Sequence, residues 1–271
     1  MSKPVPAPRC LLCVHAHPDD EALFTAGVMA RYKSEGVRVV LVTCTDGSLG
    51  IPPEGSGGER AEVAAVRTAE LEASAAILGV DRLELLGYHD SGMAGWPQND
   101  EASAFVKQSL DEVAGRIGAV LSEERPQVVV TYDERGFYGH PDHVFTHRAV
   151  MAALGEEPPV DKVYFPAIPA TLLDGYLTLA KDMGIVLPEW LEAPDWGAPD
   201  ELVRTVVDCG AFVAAKHASL AAHASQSDNA DLVGLPAELF ALVFGAERYI
   251  RAFDRTGTPL PEDDLFAGVQ R

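Results

Sequence analysis

Two short clusters of histidine and carboxylate residues stand out as candidates for chemistry in this 271-residue sequence. The first, HAHPDDE at residues 15–21, directly follows the apolar run LLCV, and the second, HPDH at residues 140–143, comes much later in the chain. Core packing does not account for two imidazoles and three carboxylates within seven residues, because ionisable side chains are rarely buried without partners. The two clusters together predict a metal centre.

A catalytic zinc ion takes three protein ligands from His, Asp or Glu and keeps one position for water. His17 and Asp20 are three residues apart at a predicted helix start, so both side chains could reach one ion. The two histidines of the second cluster have the same offset. Two ligands from the first cluster and one from the second would leave a His and an Asp free to act on a substrate. Such a zinc lowers the pKa of its water to about 7 and polarises a carbonyl, which predicts hydrolysis.

The positions of the remaining residues suggest their roles. Asp19 lies next to Asp20 but points elsewhere, so it is placed to accept a proton from the zinc-bound water. His140, in its charged form and held by Asp142, could donate to the leaving nitrogen or stabilise an oxyanion, and the hydroxyl of Tyr138 is a second oxyanion candidate. Asp19 and Asp142 could each be a simple helix cap, but the pairing of the two clusters favours a site.

The elements that must position these residues alternate between strand and helix. This alternation predicts an α/β fold: a Rossmann-like, mostly parallel sheet with helices on both faces and a C-terminal elaboration. Ligands bind outside the carboxyl ends of the strands in such sheets, where the loops after strands 1 to 4 all open. Apolar and β-branched runs predict strands at residues 9–15, 37–45, 82–86, 127–132, 162–167 and 203–208; helical patterns cover residues 18–35, 59–78, 102–124, 140–154, 172–183, 211–226 and 238–244.

The length of the chain favours one domain over residues 1–271. Residues 9–155 would form the α/β core that carries both clusters, and residues 156–256 would complete the pocket, with part of its wall from residues 172–199. The glycine- and proline-rich loop at residues 46–58 could be an active-site lid or a tolerated surface insertion. The end of the chain, from residue 257, is predicted to be loose.

The formal net charge of −20 argues against nucleic acid or an anionic membrane surface as a partner, since both need clustered Lys and Arg. We expect a cytoplasmic protein without a membrane anchor, because no apolar run is long enough for a signal peptide or a membrane span. A homo-oligomer is compatible with the sequence. Cys10 and Cys13 would point to opposite faces of strand 1, and we expect all four cysteines to be buried, reduced thiols rather than a zinc knuckle or redox pair.

The segments VHAHPDDE and YGHPDH resemble those of the LmbE-like, PIG-L family of zinc-dependent de-N-acetylases, and the similarity covers about residues 9–155. Members of this family remove acetyl groups from N-acetylglucosamine conjugates such as N-acetylglucosaminyl-phosphatidylinositol or the inositol glycoside precursor of mycothiol. By position, the resemblance implies metal ligation by His17, Asp20 and His143, general-base catalysis by Asp19, contacts to the carbonyl and the tetrahedral intermediate from His140 and Tyr138, and orientation of His140 by Asp142.

The resemblance also implies substrate contacts. Arg67 in the second helix and Asp90 in the loop DSGMAG would bind sugar hydroxyls, and His223, in the segment HASQ, would lie near the site. Arg67 could instead be a snorkelling surface residue. The Asp90 loop is similar to that of the mycothiol-precursor deacetylases, but residues 51–53, IPP, stand where those enzymes tend to have an acidic residue, which weakens the inositol-glycoside interpretation.

The sequence therefore predicts a hydrolase with one Zn²⁺ per chain that removes an N-acetyl group from a small amino-sugar conjugate of the N-acetylglucosamine type. One alternative is an amidase of the same family that acts on a mycothiol S-conjugate or on a natural-product intermediate. Another is a non-catalytic sugar- or nucleotide-binding domain. Against the last, strand 1 leads into His-Pro-Asp-Asp rather than into the glycine fingerprint of dinucleotide-binding folds.

Overall fold

The computed structural model describes residues 9–53, 55, 57–184 and 196–270. Within these residues one sheet has the strands β1 (Cys10–His15), β2 (Arg38–Thr45), β3 (Arg82–Tyr88), β4 (Val128–Val130), β5 (Lys162–Pro166), β6 (Val203–Asp208) and β7 (Ala246–Asp254). Their order across the sheet is β3-β2-β1-β4-β5-β7-β6. The first five strands are parallel, and β7 pairs antiparallel with both β5 and β6.

Helices cover both faces of this sheet, so its central strands are buried on each side. Leu12 and Val14 of β1 pack into one apolar core, and Leu11 and Cys13 pack into the core on the opposite face. The predicted α/β fold is confirmed, and Cys10 and Cys13 do point to opposite faces. The helices are α1 (Asp20–Phe24), α2 (Ala26–Ser34), α3 (Arg60–Leu78), α4 (Leu110–Glu124), α5 (Gly136–Gly139), α6 (Pro141–Leu154), α7 (Ala170–Asp182), α8 (Val213–Ala222), α9 (Ser227–Val233) and α10 (Ala237–Phe244).

The single helix predicted for residues 18–35 is broken at Thr25, between α1 and α2. The hydroxyl of Thr25 lies 2.8 Å from Nε2 of His15 and bonds the carbonyl of Glu21 at 3.3 Å. The carboxylate of Glu247 accepts hydrogen bonds from the first amides of α2, at Gly27 (2.7 Å) and Val28 (2.9 Å). These contacts satisfy backbone donors that a continuous helix would satisfy internally, and they allow the chain to turn just after the first His/Asp cluster.

The helix predicted to begin at residue 102 begins at Leu110, where the Ser109 hydroxyl accepts from the amide of Glu112. Before it lies a short 3₁₀ turn, Phe105–Lys107. Phe105 is fully buried in the core, and its amide donates to the carbonyl of His89 at 2.9 Å. Tertiary packing of this segment under the loop after β3 therefore prevails over its helical pattern.

The C-terminal part differs most from the prediction. Strand β7 was not predicted, and it lies between β5 and β6 in the same sheet. The end of the chain, predicted to be loose, is packed: Leu265 and Phe266 are buried, and Glu262 pairs with buried Lys162 at 2.6 Å. The helix predicted for residues 211–226 is shorter, as α8, and most of the stretch 187–199 lies outside the described residues.

Among the residues that the structure describes, we find no helix that combines the length and the apolar character needed to cross a membrane.

Candidate metal centre and active site

The loops that follow β1, β2, β3 and β4 open at the carboxyl edge of the sheet and line one cavity of about 790 Å³. This is the location that the parallel topology predicts for a ligand. The polar side chains that line the cavity nearest the two His/Asp clusters are Asp19, His17, Asp20, Arg67, Asp90, Tyr138 and His140.

Three of the predicted ligands form a compact triangle at the base of the cavity. Nδ1 of His17 lies 3.3 Å from Nε2 of His143 and 3.4 Å from Oδ2 of Asp20, and Nε2 of His143 lies 3.4 Å from the other Asp20 oxygen. A tetrahedral zinc with bonds of about 2.0–2.1 Å places its ligand atoms about 3.3–3.4 Å apart. The three donor groups therefore have the types and the spacing that such an ion requires.

Hydrogen bonds to the outer nitrogens of the two imidazoles, and one to the carboxylate of Asp20, hold these ligands at the triangle. Nε2 of His17 donates to the carboxylate of Asp142 at 3.1 Å, and Nδ1 of His143 donates to the carbonyl of Gly136 at 3.2 Å. Oδ2 of Asp20 accepts from the hydroxyl of Tyr132 at 2.7 Å. Each imidazole therefore keeps its other nitrogen for a metal, which is how outer hydrogen bonds select the tautomer of a metal ligand.

Other combinations of side chains could also surround an ion. The ligand atoms of His17, His140 and His143 lie within 4.8 Å of one another, and so do those of His17, Asp90, His140 and Asp142. Both sets include His140, whose Nδ1 accepts a backbone hydrogen bond, and the second uses the His17 nitrogen that already donates to Asp142. The set of His17, Asp20 and His143 leaves the hydrogen bond between His17 and Asp142 intact, and its contacts of 3.3 and 3.4 Å, which use both Asp20 oxygens, are close to the spacing around a tetrahedral ion.

The electrostatics of the triangle follow from burial and from the surrounding charges. Burial alone would lower the pKa of His17, but the carboxylates of Asp90, Asp142 and Asp20 outweigh it and hold this pKa well above its ordinary range. Burial alone would raise the pKa of Asp20, but His143 and His17 hold it well below its ordinary range. A metal ion that binds Nδ1 of His17 competes with the proton that these carboxylates favour.

Asp19, the predicted base, has an unusual backbone conformation with φ at 120°. The carboxylate of buried Glu21 accepts from its amide at 3.0 Å, and Nη2 of Arg67 lies 3.0 Å from its Oδ2. Nδ2 of Asn229 lies 3.5 Å from the same oxygen. Burial raises the pKa of Asp19 and the guanidinium of Arg67 opposes this rise. A pKa that burial raises and Arg67 partly lowers suits a carboxylate that accepts a proton near neutral pH.

His140 and Tyr138 line the same cavity as Asp19. Nδ1 of His140 accepts from the backbone amide of Asp142 at 3.1 Å, so its proton lies on Nε2. Burial, followed by the charges of His17 and His143, holds the pKa of His140 well below its ordinary range. Burial also raises the pKa of Tyr138, whose hydroxyl stays protonated. This pKa favours a neutral imidazole that donates a hydrogen bond through Nε2 over the charged form expected from the sequence.

The predicted orientation of His140 by Asp142 also needs correction. The amide of Asp142, not its carboxylate, makes the hydrogen bond to His140. The carboxylate accepts instead from Nε2 of His17 and from the amide of Ser91, at 3.1 and 2.9 Å. The carboxylate of Asp142 therefore serves the metal-ligand side of the site.

Comparison with known proteins shows the family in which this combination of motifs occurs. Residues 12–154, more than half of the chain, match the family model PIG-L, described as GlcNAc-PI de-N-acetylase. The chain belongs to the PIG-L family. The prediction of an amide-hydrolysing enzyme of this family is thereby confirmed.

Relatives of similar length match this de-N-acetylase over nearly its whole length. A 1D-myo-inositol 2-acetamido-2-deoxy-alpha-D-glucopyranoside deacetylase from Acidothermus cellulolyticus is 38% identical, over 96% of this chain and 95% of its own. One of the same name from Geodermatophilus obscurus is 40% identical, over 96% and 98%. Among solved structures, 4-carboxy-2-hydroxymuconate hydratase from Pseudomonas putida KT2440 superposes with a TM-score of 0.62 at 20% identity, over 93% of this chain and 99% of its own; this likeness concerns the fold alone.

The structure places the three predicted substrate-binding residues of this de-N-acetylase differently. Asp90 lines the cavity, with Oδ1 at 3.6 Å from Nε2 of His17. Arg67 lines it too and is buried, so it is not a surface residue; its guanidinium donates to the carbonyls of Gly47 (2.9 Å) and Pro18 (2.5 Å) beside its contact with Asp19.

His223 does not reach the cavity. Its ring is fully buried, and Nε2 donates to the carboxylate of Glu21 at 2.6 Å. Ser74 donates to the same Glu21 oxygen at 2.5 Å. The predicted substrate contact of His223 is therefore corrected: this histidine supports Glu21, which in turn bonds the amide of Asp19.

Two residues that were not predicted as site residues also shape the site. Tyr132, at the end of the predicted fourth strand, bonds Asp20 and stacks on the ring of His143 with centroids 4.1 Å apart. Gln226 bonds the backbone of Ile51 on both sides, through its oxygen at 3.0 Å and its nitrogen at 3.2 Å. The first part of the loop after β2 is therefore held against the site, and residues 49–52 line the cavity, so this part is more than a tolerated surface insertion.

Proposed function

We propose that this protein is a zinc-dependent de-N-acetylase that removes the acetyl group from an N-acetylglucosamine-type conjugate. The observation that carries the proposal is the triangle of His17, Asp20 and His143 with Asp19 beside it, at the base of a cavity that can hold a substrate. The deacetylase names of the relatives support an amino-sugar substrate, and their 2-acetamido-2-deoxyglucoside of inositol is the first compound to test.

In this proposal His17, Asp20 and His143 hold the zinc ion. A zinc ion there would polarise the amide carbonyl and lower the pKa of a water molecule. Asp19 accepts the proton of the attacking water as its oxygen bonds to the carbonyl carbon. The strained backbone and the contact with Arg67 hold the Asp19 carboxylate in place. When the bond between carbon and nitrogen breaks, the protonated Asp19 is the nearest acid that can return the proton to the leaving amine.

His140 and Tyr138 act as hydrogen-bond donors to the carbonyl oxygen as its charge develops. Nε2–H of neutral His140 and the protonated hydroxyl of Tyr138 can donate without first losing or gaining a proton. Asp142 supports His17 from outside the triangle, and Asp90 binds a hydroxyl of the sugar. Because His140 is neutral, we assign it to oxyanion stabilisation rather than to protonation of the leaving nitrogen.

We also propose that the whole chain is one domain. In support, β5, β6 and β7 extend the sheet formed by the motif-bearing strands, and residues of α7 and α10 line the same cavity as the His/Asp clusters. Residues 156–256 would then complete the pocket.

The decisive experiment measures acetate and free amine released from the inositol glycoside by metal-depleted protein before and after addition of Zn²⁺. We expect hydrolysis only with the metal. Asp19→Asn should reduce kcat about 10²–10⁴-fold, the range of general-base catalysis, while the protein still binds one zinc per chain.

The matched control is Asp111→Asn, which changes an exposed carboxylate in the first turn of α4 that does not line the cavity. This variant should retain both zinc and activity. Full turnover by the metal-depleted protein, or an unchanged kcat in Asp19→Asn, would contradict the proposal.

A further inference from the structure

One side of the cavity has a chemistry that an amino sugar and inositol do not require. Helices α7 and α10 contribute an apolar surface, which we call the apolar wall: Leu173, Leu177, Ala180, Leu239, Val243 and Phe244. The side of the cavity near the metal ligands carries Asp90, Asn229 and Gln226 instead. The cavity therefore offers polar contacts at one end and a hydrocarbon surface at the other.

The apolar wall is built from regular helical faces. Leu173, Leu177 and Ala180 recur along α7 at the spacing of one helix face, and Leu239 and Val243 lie one turn apart on α10. The hydroxyl of Tyr176 donates to the carbonyl of Leu242 at 3.4 Å, which links the two helices. Both helix faces line the same cavity, and this hydrogen bond joins them.

Two of the charged groups that line the cavity, Lys216 and Glu247, are paired with each other. Nζ of Lys216 lies 2.6 Å from Oε1 of Glu247 and donates to the carbonyl of Leu23 at 2.7 Å. Both carboxylate oxygens of Glu247 also accept from amides of α2, and Nη1 of Arg248 donates to the carbonyl of Ala246. A substrate hydroxyl buried against the wall would leave water without gaining an equal partner, which costs free energy.

We propose that the substrate of this enzyme carries an apolar substituent of several carbons that lies against the apolar wall. The inference rests on the proposed de-N-acylation and specifies its substrate class. The substituent has two chemical sources: it is either the aglycone of the amino sugar or a longer acyl chain on its nitrogen. In both cases water adds to the amide carbonyl, the bond between carbon and nitrogen breaks, and a carboxylate and a free amine result.

Three synthetic compounds distinguish these sources. The reference is the methyl glycoside of N-acetylglucosamine; the second compound has an octyl aglycone, and the third has an N-octanoyl group on the methyl glycoside. With zinc-loaded protein and concentrations below micelle formation, we expect kcat/KM for one octyl compound to exceed that of the reference at least 10-fold. The compound that gains identifies the position of the substituent.

A pair of variants on α10 ties the preference to the apolar wall. Val243→Trp fills part of the wall and should remove the preference, so that kcat/KM for the octyl compounds falls to that of the reference measured with the same variant. Leu242→Trp, at an adjacent position that is 60% exposed, should retain the preference. The Leu242 variant also controls for the effect of a large side chain on the stability of the helix.

The outcomes separate this inference from the function on which it rests. Equal kcat/KM values for the three compounds, or a preference that survives in Val243→Trp, would overturn the apolar-substituent proposal and leave the de-N-acetylase proposal standing. Absence of hydrolysis for all three compounds and for the inositol glycoside would overturn both.

Discussion

The two His/Asp clusters follow β1 and β4 in equivalent positions, yet different contacts hold them. In the second cluster, His140 caps α6, and its ring accepts from the amide of Asp142 only two residues away. In the first cluster, Asp19 has a φ of 120°, and its contacts come from Glu21 nearby and from Arg67 on α3.

This difference separates local from long-range control. The cap geometry of the second cluster follows from the regular start of a helix, and its remote contacts are those of the Asp142 carboxylate with His17 and the amide of Ser91. In the first cluster, the amide of Asp19 bonds Glu21, and Glu21 is in turn bonded by His223 from the C-terminal part of the chain. Remote substitutions should therefore affect the base at Asp19 more than the donors of the second cluster.

The largest effect is expected where the two clusters meet. His143→Ala removes one of three ligands, so the zinc content after dialysis should fall from about one per chain to background. Activity should fall by more than the roughly 10²–10⁴-fold cost of losing a general base. Elemental analysis and acetate release measure both quantities. His147→Ala, one turn further along α6, should retain zinc; loss of zinc in both variants would show that helix integrity, not ligation, was tested.

A smaller effect, on stability, tests the long-range support of the first cluster. His223→Ala leaves Glu21 buried without its ionic partner, so the free energy of unfolding should fall by about 3–5 kcal/mol. Urea denaturation measures this change. The control is His217→Ala on α8. The ring of His217 bonds the backbone carbonyl of Val233, so this variant should lose less free energy of unfolding.

The stability lost in His223→Ala should depend on pH, because the pKa values of both Glu21 and His223 are shifted in the folded protein. Burial would raise the pKa of Glu21, but His223 lowers it below 4.5, so its contribution is present above that value and is lost as the pH falls through the folded-state pKa. Burial would lower the pKa of His223, but Glu21 raises it above 6.5, so its contribution is present below that value and is lost as the pH rises through the folded-state pKa. The loss of stability in His223→Ala should therefore be largest between about pH 4.5 and 6.5; a difference independent of pH would contradict an ion pair.

The smallest effect concerns the pH profile of the base. The guanidinium of Arg67 opposes the rise in the pKa of Asp19, so Arg67→Gln should move the acidic limb of kcat/KM to higher pH. Arg67→Lys keeps the charge and should move it less. Arg148→Gln, on the exposed side of α6 in the second cluster, should leave the limb unchanged. An equal shift in Arg67→Gln and Arg148→Gln would remove the contrast between the two clusters.

The parts of the site that follow from local sequence could be predicted. The offset of three residues between His17 and Asp20, together with the strand that precedes them, was sufficient to place them with His143 at one edge of the sheet. Gly79 ends α3 as expected, with its φ at 71°. These features depend on short-range spacing and on the parallel topology, both of which are visible in one sequence.

The parts that depend on remote charges could not be predicted. Strand β7 contains Glu247 and two arginines, so its sequence does not look like that of an interior strand. The charge of Glu247 is compensated by Lys216 of α8, which is remote in sequence. Arg67 and His223 were recognised as functional positions, but their actual partners, Asp19 and Glu21, lie far from them in sequence. Buried ionic pairs of this kind leave no periodic signal.

At Asp19 the backbone conformation lowers stability, while the side-chain carboxylate is needed for the proposed activity. Its φ of 120° lies in a region that glycine tolerates and other residues adopt at a cost of about 1–3 kcal/mol. A laboratory search for more stable variants would therefore tend to select glycine here, and every such variant would lack the carboxylate. Thermostabilised forms of this enzyme should for that reason be screened for turnover before they are ranked by melting temperature.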